Sequence, residues 1–435
     1  MEGLTPVILC VVLMILMLNV GLPIAYAVGF SAMIVGFFTY GAVALEKLGW
    51  TTFQTLFIPA WTPLPLFCFI GFLIAQTKIG EDLFRAARAW LSRVPGALVV
   101  STVLAEAGVA ATLGSSAATI LTVGPVAMPE LERLSYDRKM SLGALTCGGV
   151  LGPLIPPSAT AIIIAGLAGA VVPLGRLLIA GIVPGLLLAV LLSIVPIVKC
   201  ARNPSLGPAP GRVTWSERFS SLRRVWPVLV IFFSILGSIF FGIATATEAG
   251  GVGAFIVMII AIFVYGLKAR DIYRAAIDTV KVNAAILFII VGASFFSYII
   301  GSGSLSKQLI GWVEVLGAEP ILVVICIQVL LLILGCLIDG MTIMVITIPI
   351  FLPLAVSMGL NPLWFAVLYE VNMEIALITP PMAINFFLVR NVFKISSSDL
   401  FEGVLPYLAV LVIFLFILVA FPPLSIWLPG LMIGK

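Results

Sequence analysis

The chain has 435 residues, 62% of them hydrophobic and only 10% charged, with no histidine and a formal net charge of +4. A charged content so far below the roughly 25% of soluble domains excludes a water-soluble globular protein, and the small positive excess gives no support for nucleic-acid binding. Six scattered cysteines with no CxxC, and no histidine beside them, form no metal set and leave no histidine as proton shuttle.

Apolar runs near the roughly 20 residues that cross a bilayer recur from the first ten positions to Phe421, which leaves no room for a large soluble domain. An all-α polytopic membrane protein is therefore expected. The first run, Leu4 to Leu18, has Glu2 and no basic residue before it and no convincing small-residue cleavage site, so it reads as a retained helix. Hydropathy and breakers place spans near 4–20, 22–40, 51–77, 140–170, 173–198, 226–243, 246–267, 281–301, 362–392 and 404–421. Two further stretches, 97–133 and 318–357, pass a polar tip at mid-length. Arms of about 15 to 18 residues are short for a crossing, which favours re-entrant hairpins over straight double crossings.

Basic residues test this count, because they gather on the cytoplasmic side. Lys78, Arg85, Arg88 and Arg93 precede the first hairpin, and Arg133, Arg138 and Lys139 follow it. Lys199, Arg202, Arg212, Arg218, Arg223 and Arg224 fall in one loop, then Lys268, Arg270, Arg274 and Lys281, then Arg390 and Lys394. With the spans above all these clusters share one side, and both chain ends lie on the periplasmic side. The stretch 81–93 sets Leu83, Phe84, Ala87, Trp90 and Leu91 against Arg85, Arg88 and Arg93, the pattern of a helix lying flat in the interface.

Setting Ser115 against Asp339 gives an offset of 224 at which Pro125 meets Pro349, Pro129 meets Pro353, and Pro156-Pro157 meets Pro380-Pro381. The reading that follows is a first half 1–198 with hairpin 97–133, a cytoplasmic linker 199–225 rich in Pro, Gly and basic residues, and a second half 226–435 with hairpin 318–357. Each half has five spans, and an odd number of crossings inverts the second half. Inverted repeats with discontinuous helices meeting near the midplane are the architecture of many secondary transporters.

The first tip reads Leu113-Gly114-Ser115-Ser116-Ala117-Ala118-Thr119 and its partner break Gly152-Pro153-Leu154-Ile155-Pro156-Pro157-Ser158. The second tip, Gly335 to Thr342 with Asp339 at its centre, is matched by Ile378-Thr379-Pro380-Pro381-Met382. Paired prolines unwind a helix and free carbonyls, which are tolerated at membrane depth only where they line a cavity or meet a ligand. Oxygens at Gly114, Ser115, Ser116, Gly152, Ile155, Gly335, Ile338 and Thr379 suit two related Na⁺ sites, and helix N-termini beyond the breaks suit an anion. Ser158, Thr342 and Asn385 are candidates to line the substrate cavity. The plainer reading of each hydroxyl is a bond to a neighbouring helix.

Five acidic residues lie inside apolar runs: Glu106, Glu248, Asp339, Glu370 and Glu374. Each must face protein or water or bind a proton. Asp339, at a tip, is the strongest functional candidate. Glu370 and Glu374, one turn apart, form either a proton or cation site or a wet face near Pro380, and Glu106 and Glu248 pair with Arg or cap broken helices. No GxxxxGK[ST] is present, so nothing points to nucleotide hydrolysis.

At these residues the sequence resembles the large membrane subunit (M) of tripartite ATP-independent periplasmic (TRAP) transporters, within the wider ion-transporter superfamily. The resemblance covers nearly the whole chain and is carried by Gly114-Ser115-Ser116-Ala117-Ala118-Thr119, Tyr136-Asp137-Arg138-Lys139, Gly152 to Ser158, Thr247-Glu248-Ala249-Gly250, and Thr379-Pro380-Pro381 with Asn385. It implies a Na⁺-driven elevator in the bacterial inner membrane, with the Na⁺ sites, Asp339 included, at the hairpin tips and breaks. It also implies a small four-helix membrane subunit (Q), and a soluble periplasmic binding protein (P) that delivers an organic anion such as a dicarboxylate or sialic acid. No Q-like segment precedes residue 1, so Q is expected as a separate chain. Two departures stand out: Ala383 and Ser135 occupy positions where the family commonly has glycine. The alternatives are a self-sufficient dicarboxylate carrier driven by Na⁺ or H⁺, and, from another class, a passive channel or a non-transporting membrane scaffold. None of these is an enzyme.

Overall fold

The computed structural model describes residues 4–208, 211, 213–302, 305–338 and 340–433, which form helices and no strands. The chain opens with α1 (Leu4–Asn19), α2 (Ile24–Tyr40), α3 (Val43–Leu56) and α4 (Pro63–Ala75). The stretch 51–77, expected as one span, is instead bent by 52° between the α3 and α4 segments. Pro59, Pro63 and Pro65 stand at that bend, where missing N–H donors and ring clashes end one helix and open the next. The amphipathic stretch is α5 (Ile79–Leu91), which buries Leu83 and Phe84 and leaves Arg85 and Trp90 exposed.

The first hairpin is α6 (Ala97–Leu113) and α7 (Ser116–Arg133), packed together with only Gly114 and Ser115 between them. Next come α8 (Arg138–Gly148), α9 (Leu151–Leu154) and α10 (Ala159–Ala168), a path bent by 45° at the Pro156-Pro157 break. The helices α11 (Leu174–Ala180) and α12 (Ile182–Arg202) follow.

Helix resumes earlier than the linker 199–225 suggested. α13 (Trp215–Phe232) starts at a capping box in which Thr214 Oγ1 accepts from Glu217 N (3.3 Å) and Glu217 Oε2 accepts from Thr214 N (2.9 Å). Two first-turn donors are thereby satisfied, enough to start the helix in spite of the polar composition. After a π turn at 233–237 come α14 (Ser238–Phe240), α15 (Ala246–Phe263) and α16 (Ala269–Ser302). α16 runs 34 residues without a proline, whereas the first-half segment at the same offset is bent. The chain closes with α17 (Leu305–Leu316), α18 (Pro320–Leu337), α19 (Gly340–Ser357), α20 (Pro362–Ala376), α21 (Ile384–Phe393), α22 (Ser397–Ala420) and a short α23 (Pro423–Gly430) that sequence patterning did not suggest.

Element bounds follow the 224-residue offset closely. Shifted by it, α7 covers 340–357, the extent of α19, and α8 begins on Pro362, the first residue of α20. Among the described residues, seven helical stretches are long and apolar enough to cross a membrane, or nine when each bent pair counts as one.

Two packing features position the centre of the molecule. Every residue of α20 from Trp364 to Ala376 is buried, so this helix is enclosed on all sides. α8 and α22 cross with almost no separation: a Cβ on Gly143 would lie 2.2 Å from the Gly403 carbonyl oxygen, and one on Gly403 2.1 Å from that of Lys139. Small residues at such crossings let backbones approach where no hydrophobic force drives helices together. The basic clusters also meet. Arg88 pairs with Glu130, Arg138 with Glu132 (3.2 Å), Lys139 with Asp399 (2.7 Å) and Glu402 (2.6 Å), and Arg224 with Asp82 (3.9 Å). Arg138 donates to the Phe393 carbonyl as well (2.6 Å).

Candidate cation and substrate site

The tip of the first hairpin exists because Gly114 takes a left-handed conformation (φ +66°, ψ +17°) that ends α6 and leaves Ser115, extended at φ −145°, just before α7 with no capping bond from its side chain. The Ser115 carbonyl is not left free: it accepts from Thr119 N (3.0 Å) and Thr119 Oγ1 (2.9 Å). Nor is that of Gly114, which accepts from Ala159 N (3.3 Å) across the first break. Tip and break are pressed together. A Cβ on Gly114 would lie 2.4 Å from the Pro157 carbonyl oxygen, and one on Gly152 2.7 Å from that of Ser115. Ile155, buried, ends α9 in extended backbone, and the Pro-Pro bonds at the two breaks, Pro156-Pro157 and Pro380-Pro381, are cis.

The second tip packs on α20. A Cβ on Gly335 would lie 2.4 Å from Ala376 Cβ, three residues before Thr379. Ile338, half-buried, ends α18 in extended backbone, and Asp339 lies outside the described residues. Thr379 Oγ1 donates to the Ile375 carbonyl (2.8 Å). A hydroxyl that donates keeps its oxygen lone pairs available to a cation.

The substrate candidates are all buried: Ser158 (2% exposed), Thr342 and Asn385. Ser158 caps α10, its hydroxyl oxygen accepting from Ala161 N (2.9 Å) while its proton goes to Glu370 Oε1 (2.6 Å). Asn385 N donates to the Leu377 carbonyl (2.9 Å), but its Nδ2 is buried without a hydrogen-bond partner among the described residues. A buried unpaired donor is costly, and a polar or anionic ligand would satisfy it.

Sequence reasoning missed the bridges to α20. Ser116 donates to Glu374 as Ser158 does to Glu370, so the acidic pair on one helix holds both the first tip and the first break. The pair is not a wet face: Glu370 and Glu374 are 1% and 2% exposed. Another face of α20 grips the second hairpin, with Asn372 Nδ2 donating to Gln328 O (2.9 Å) and Oε1 (2.8 Å) and Tyr369 OH to Ile343 O (3.4 Å). Spacing of one turn between the two glutamates was visible, but serine partners more than 200 residues away were not. Glu248 caps α15 in a capping box with Thr245 (N to Oε2, 2.8 Å), whereas Glu106 finds no arginine and no hydrogen-bond partner among the described residues.

The polar groups that meet where the first tip touches the break are oxygens, carbonyl and hydroxyl, packed so that no added methyl group fits. That chemistry fits a hard cation and not a soft metal, and among the described residues no group of three or more Cys, Asp and Glu side chains is placed to hold a metal ion.

The family model described as "Tripartite ATP-independent periplasmic transporter, DctM component" matches residues 11–424. The chain belongs to this family. It is 33% identical over 368 residues to the C4-dicarboxylate TRAP transporter large permease protein DctM of Pseudomonas aeruginosa, covering 84% of this chain and 85% of that one. It is 27% identical over 373 residues to the sialic acid TRAP transporter large permease protein SiaM of Vibrio cholerae, covering 85% and 86%. Among solved structures, the YdaH transporter of Alcanivorax borkumensis shares the fold, with a TM-score of 0.65 at 15% identity over 99% of this chain and 100% of that one. As a DctM-family permease the chain is a multi-pass protein of the bacterial inner membrane and not an enzyme.

Within this DctM-family chain the two departures noted in the sequence acquire a physical meaning. Ser135 (φ +56°) and Ala383 (φ +24°) are both held at positive φ, where a side chain is strained and glycine is not. Ala383 opens α21, two residues before Asn385, so the strain borders the candidate cavity.

Proposed function

We propose that this chain is the substrate-translocating subunit of a Na⁺-coupled importer of small organic anions, carboxylates in particular, acting with a separate small membrane subunit (Q) and a periplasmic binding protein (P). The observation that carries this reading is the folding of the Gly114–Ser116 tip onto the largely buried Gly152–Ser158 break, with carbonyl and hydroxyl oxygens where the two meet. Support for the substrate class comes from the P. aeruginosa and V. cholerae relatives, whose names give C4-dicarboxylates and sialic acid.

The Na⁺ gradient would supply the free energy for uphill uptake. The rest is the work of the chain's own residues. Gly114, Ser115, Ser116, Gly152 and Ile155 would hold one cation site, and Gly335, Ile338, Asp339 and Thr379 the related second. The Asn385 amide, whose Nδ2 is buried without a partner among the described residues, would meet the anion. Because α20 grips both hairpins and the first break, the two hairpins, the broken segment α8–α10 and α20 would move as one body against the remaining helices, an elevator stroke between inverted halves.

The test is Na⁺ activation of transport in Ser115→Ala and Thr379→Ala. Both variants are expected to need several-fold more Na⁺ for half-maximal uptake. Activation curves that superimpose on the wild type would remove these residues from the cation sites.

A further inference from the structure

Three carboxylates are buried around the first hairpin: Glu106 at 0% exposure, Glu370 at 1% and Glu374 at 2%. Among the described residues none is paired with a base, since every ion pair to Lys or Arg involves other acids. Unpaired carboxylates inside a membrane protein are costly and mark ion pathways. Two of the three accept from hydroxyls at the tip and break of the proposed site, Glu374 from Ser116 and Glu370 from Ser158.

Glu106 is an independent sign of a missing positive partner. Neither of its oxygens has a hydrogen-bond partner among the described residues, and a Cβ on Gly148 would lie 1.9 Å from Oε2. That glycine opens the segment that packs the tip from behind: a Cβ on Gly149 would lie 3.2 Å from the Ser116 carbonyl oxygen and one on Gly152 2.7 Å from that of Ser115. The segment from Gly148 to Gly152 thus touches both the orphan Glu106 and the tip that Glu374 holds through Ser116.

We propose that Glu370 and Glu374 are positioning residues that supply the negative charge of the first cation site, Glu374 through the Ser116 hydroxyl within that site and Glu370 through the hydroxyl of the substrate candidate Ser158, which ends the adjoining break. A hydroxyl that gives its proton to a carboxylate turns a more electron-rich oxygen to a cation. The charge for the first-half site thus comes from the second half, on the helix that also grips the second hairpin. Cation occupancy would then tie the two hairpins together, which a site built from one half alone could not do. The inference rests on the Na⁺ coupling proposed above and adds to it the source of the charge.

The test needs no transport. Purified full-length protein is titrated with NaCl at constant ionic strength against choline chloride, reading the melting midpoint, with ²²Na⁺ binding in parallel. Glu370→Gln and Glu374→Gln keep an acceptor for each serine and remove the charge; each is expected to raise the half-saturating Na⁺ concentration by roughly tenfold. Glu370→Asp and Glu374→Asp keep the charge and are expected to stay within about threefold of wild type. Gln variants that bind Na⁺ like the wild type would overturn the inference, because the carboxyls would then be neutral acceptors of purely structural use. A wild-type protein that neither binds ²²Na⁺ nor is stabilised by it would sink the Na⁺ reading itself, and this inference with it. If a Gln variant does not fold, Ser116→Ala and Ser158→Ala break the same links, and unchanged Na⁺ affinity in both would overturn the inference as surely.

Discussion

Replacing Gly114 by alanine loads two separate costs onto one atom. The residue sits at φ +66°, where a Cβ costs about 1 to 2 kcal/mol. The new methyl would also lie 2.4 Å from the Pro157 carbonyl oxygen, a backbone atom that cannot swing aside, and overpacking of that kind costs about 1 to 3 kcal/mol. Gly359 isolates the first cost: it has φ +74°, and a methyl added there would meet nothing within 4 Å. The sum is about 2 to 5 kcal/mol for Gly114→Ala against about 1 to 2 for Gly359→Ala. Thermal melting of the two purified variants measures the difference, and Gly114→Ala is expected to cost about 1 to 3 kcal/mol more than Gly359→Ala. Equal shifts would mean that the tip does not press on the break, and the site built from that contact would lose its basis.

The strained positions run the other way. Ser135→Gly and Ala383→Gly relieve a positive φ and are each expected to stabilise the protein by about 1 kcal/mol. A lower melting midpoint in either variant would contradict the strain assigned to that residue. A third expectation concerns pH. Burial pushes the Asp82 carboxyl above its usual range, offset only in part by the Tyr265 hydroxyl (3.3 Å) and the Arg224 guanidinium. An acid whose folded pKa is raised takes up its proton more readily when folded, so its cost to stability is present above that pKa and fades as pH falls through it. Asp82→Asn is therefore expected to melt higher than wild type at pH 7.5 and level with it at pH 4. A gap that widens on acidification would reverse the sign of the argument.

Much of the fold was legible because prolines and glycines punctuate it. The bounds 97–133 enclose α6 and α7, 318–357 enclose α18 and α19, and the proline offset aligns α7 with α19 to the residue. What the sequence hid was continuity. Pro59, Pro63 and Pro65 lie within a run hydrophobic enough to pass for one span, and hydropathy does not report the 52° bend they impose. The start of α13 was hidden by composition, since the Thr214–Glu217 capping box opens a helix in a polar stretch that resembled linker.

The candidate site divides along similar lines. Tips and breaks were readable because small polar residues and Pro-Pro pairs are conspicuous inside apolar runs. Which carbonyls are already committed was not: those of Gly114 and Ser115 accept from Ala159 and Thr119, and only three-dimensional packing decides that. The glutamates of α20 were visible as a pair one turn apart, but their serine partners come from the other half of the chain. Pairing across such a separation follows from how two hairpins meet on one helix, and no local pattern encodes it.

The central claim is Na⁺-driven uptake by a three-part system with this chain at its core. The direct measurement is substrate accumulation in proteoliposomes holding this chain and the proposed small membrane subunit, with the proposed binding protein outside and an inward Na⁺ gradient. Accumulation above the external concentration that needs both partners and collapses when the Na⁺ gradient is dissipated is the expected result. Accumulation by this chain alone, accumulation that persists without the gradient, or downhill flux only would contradict it.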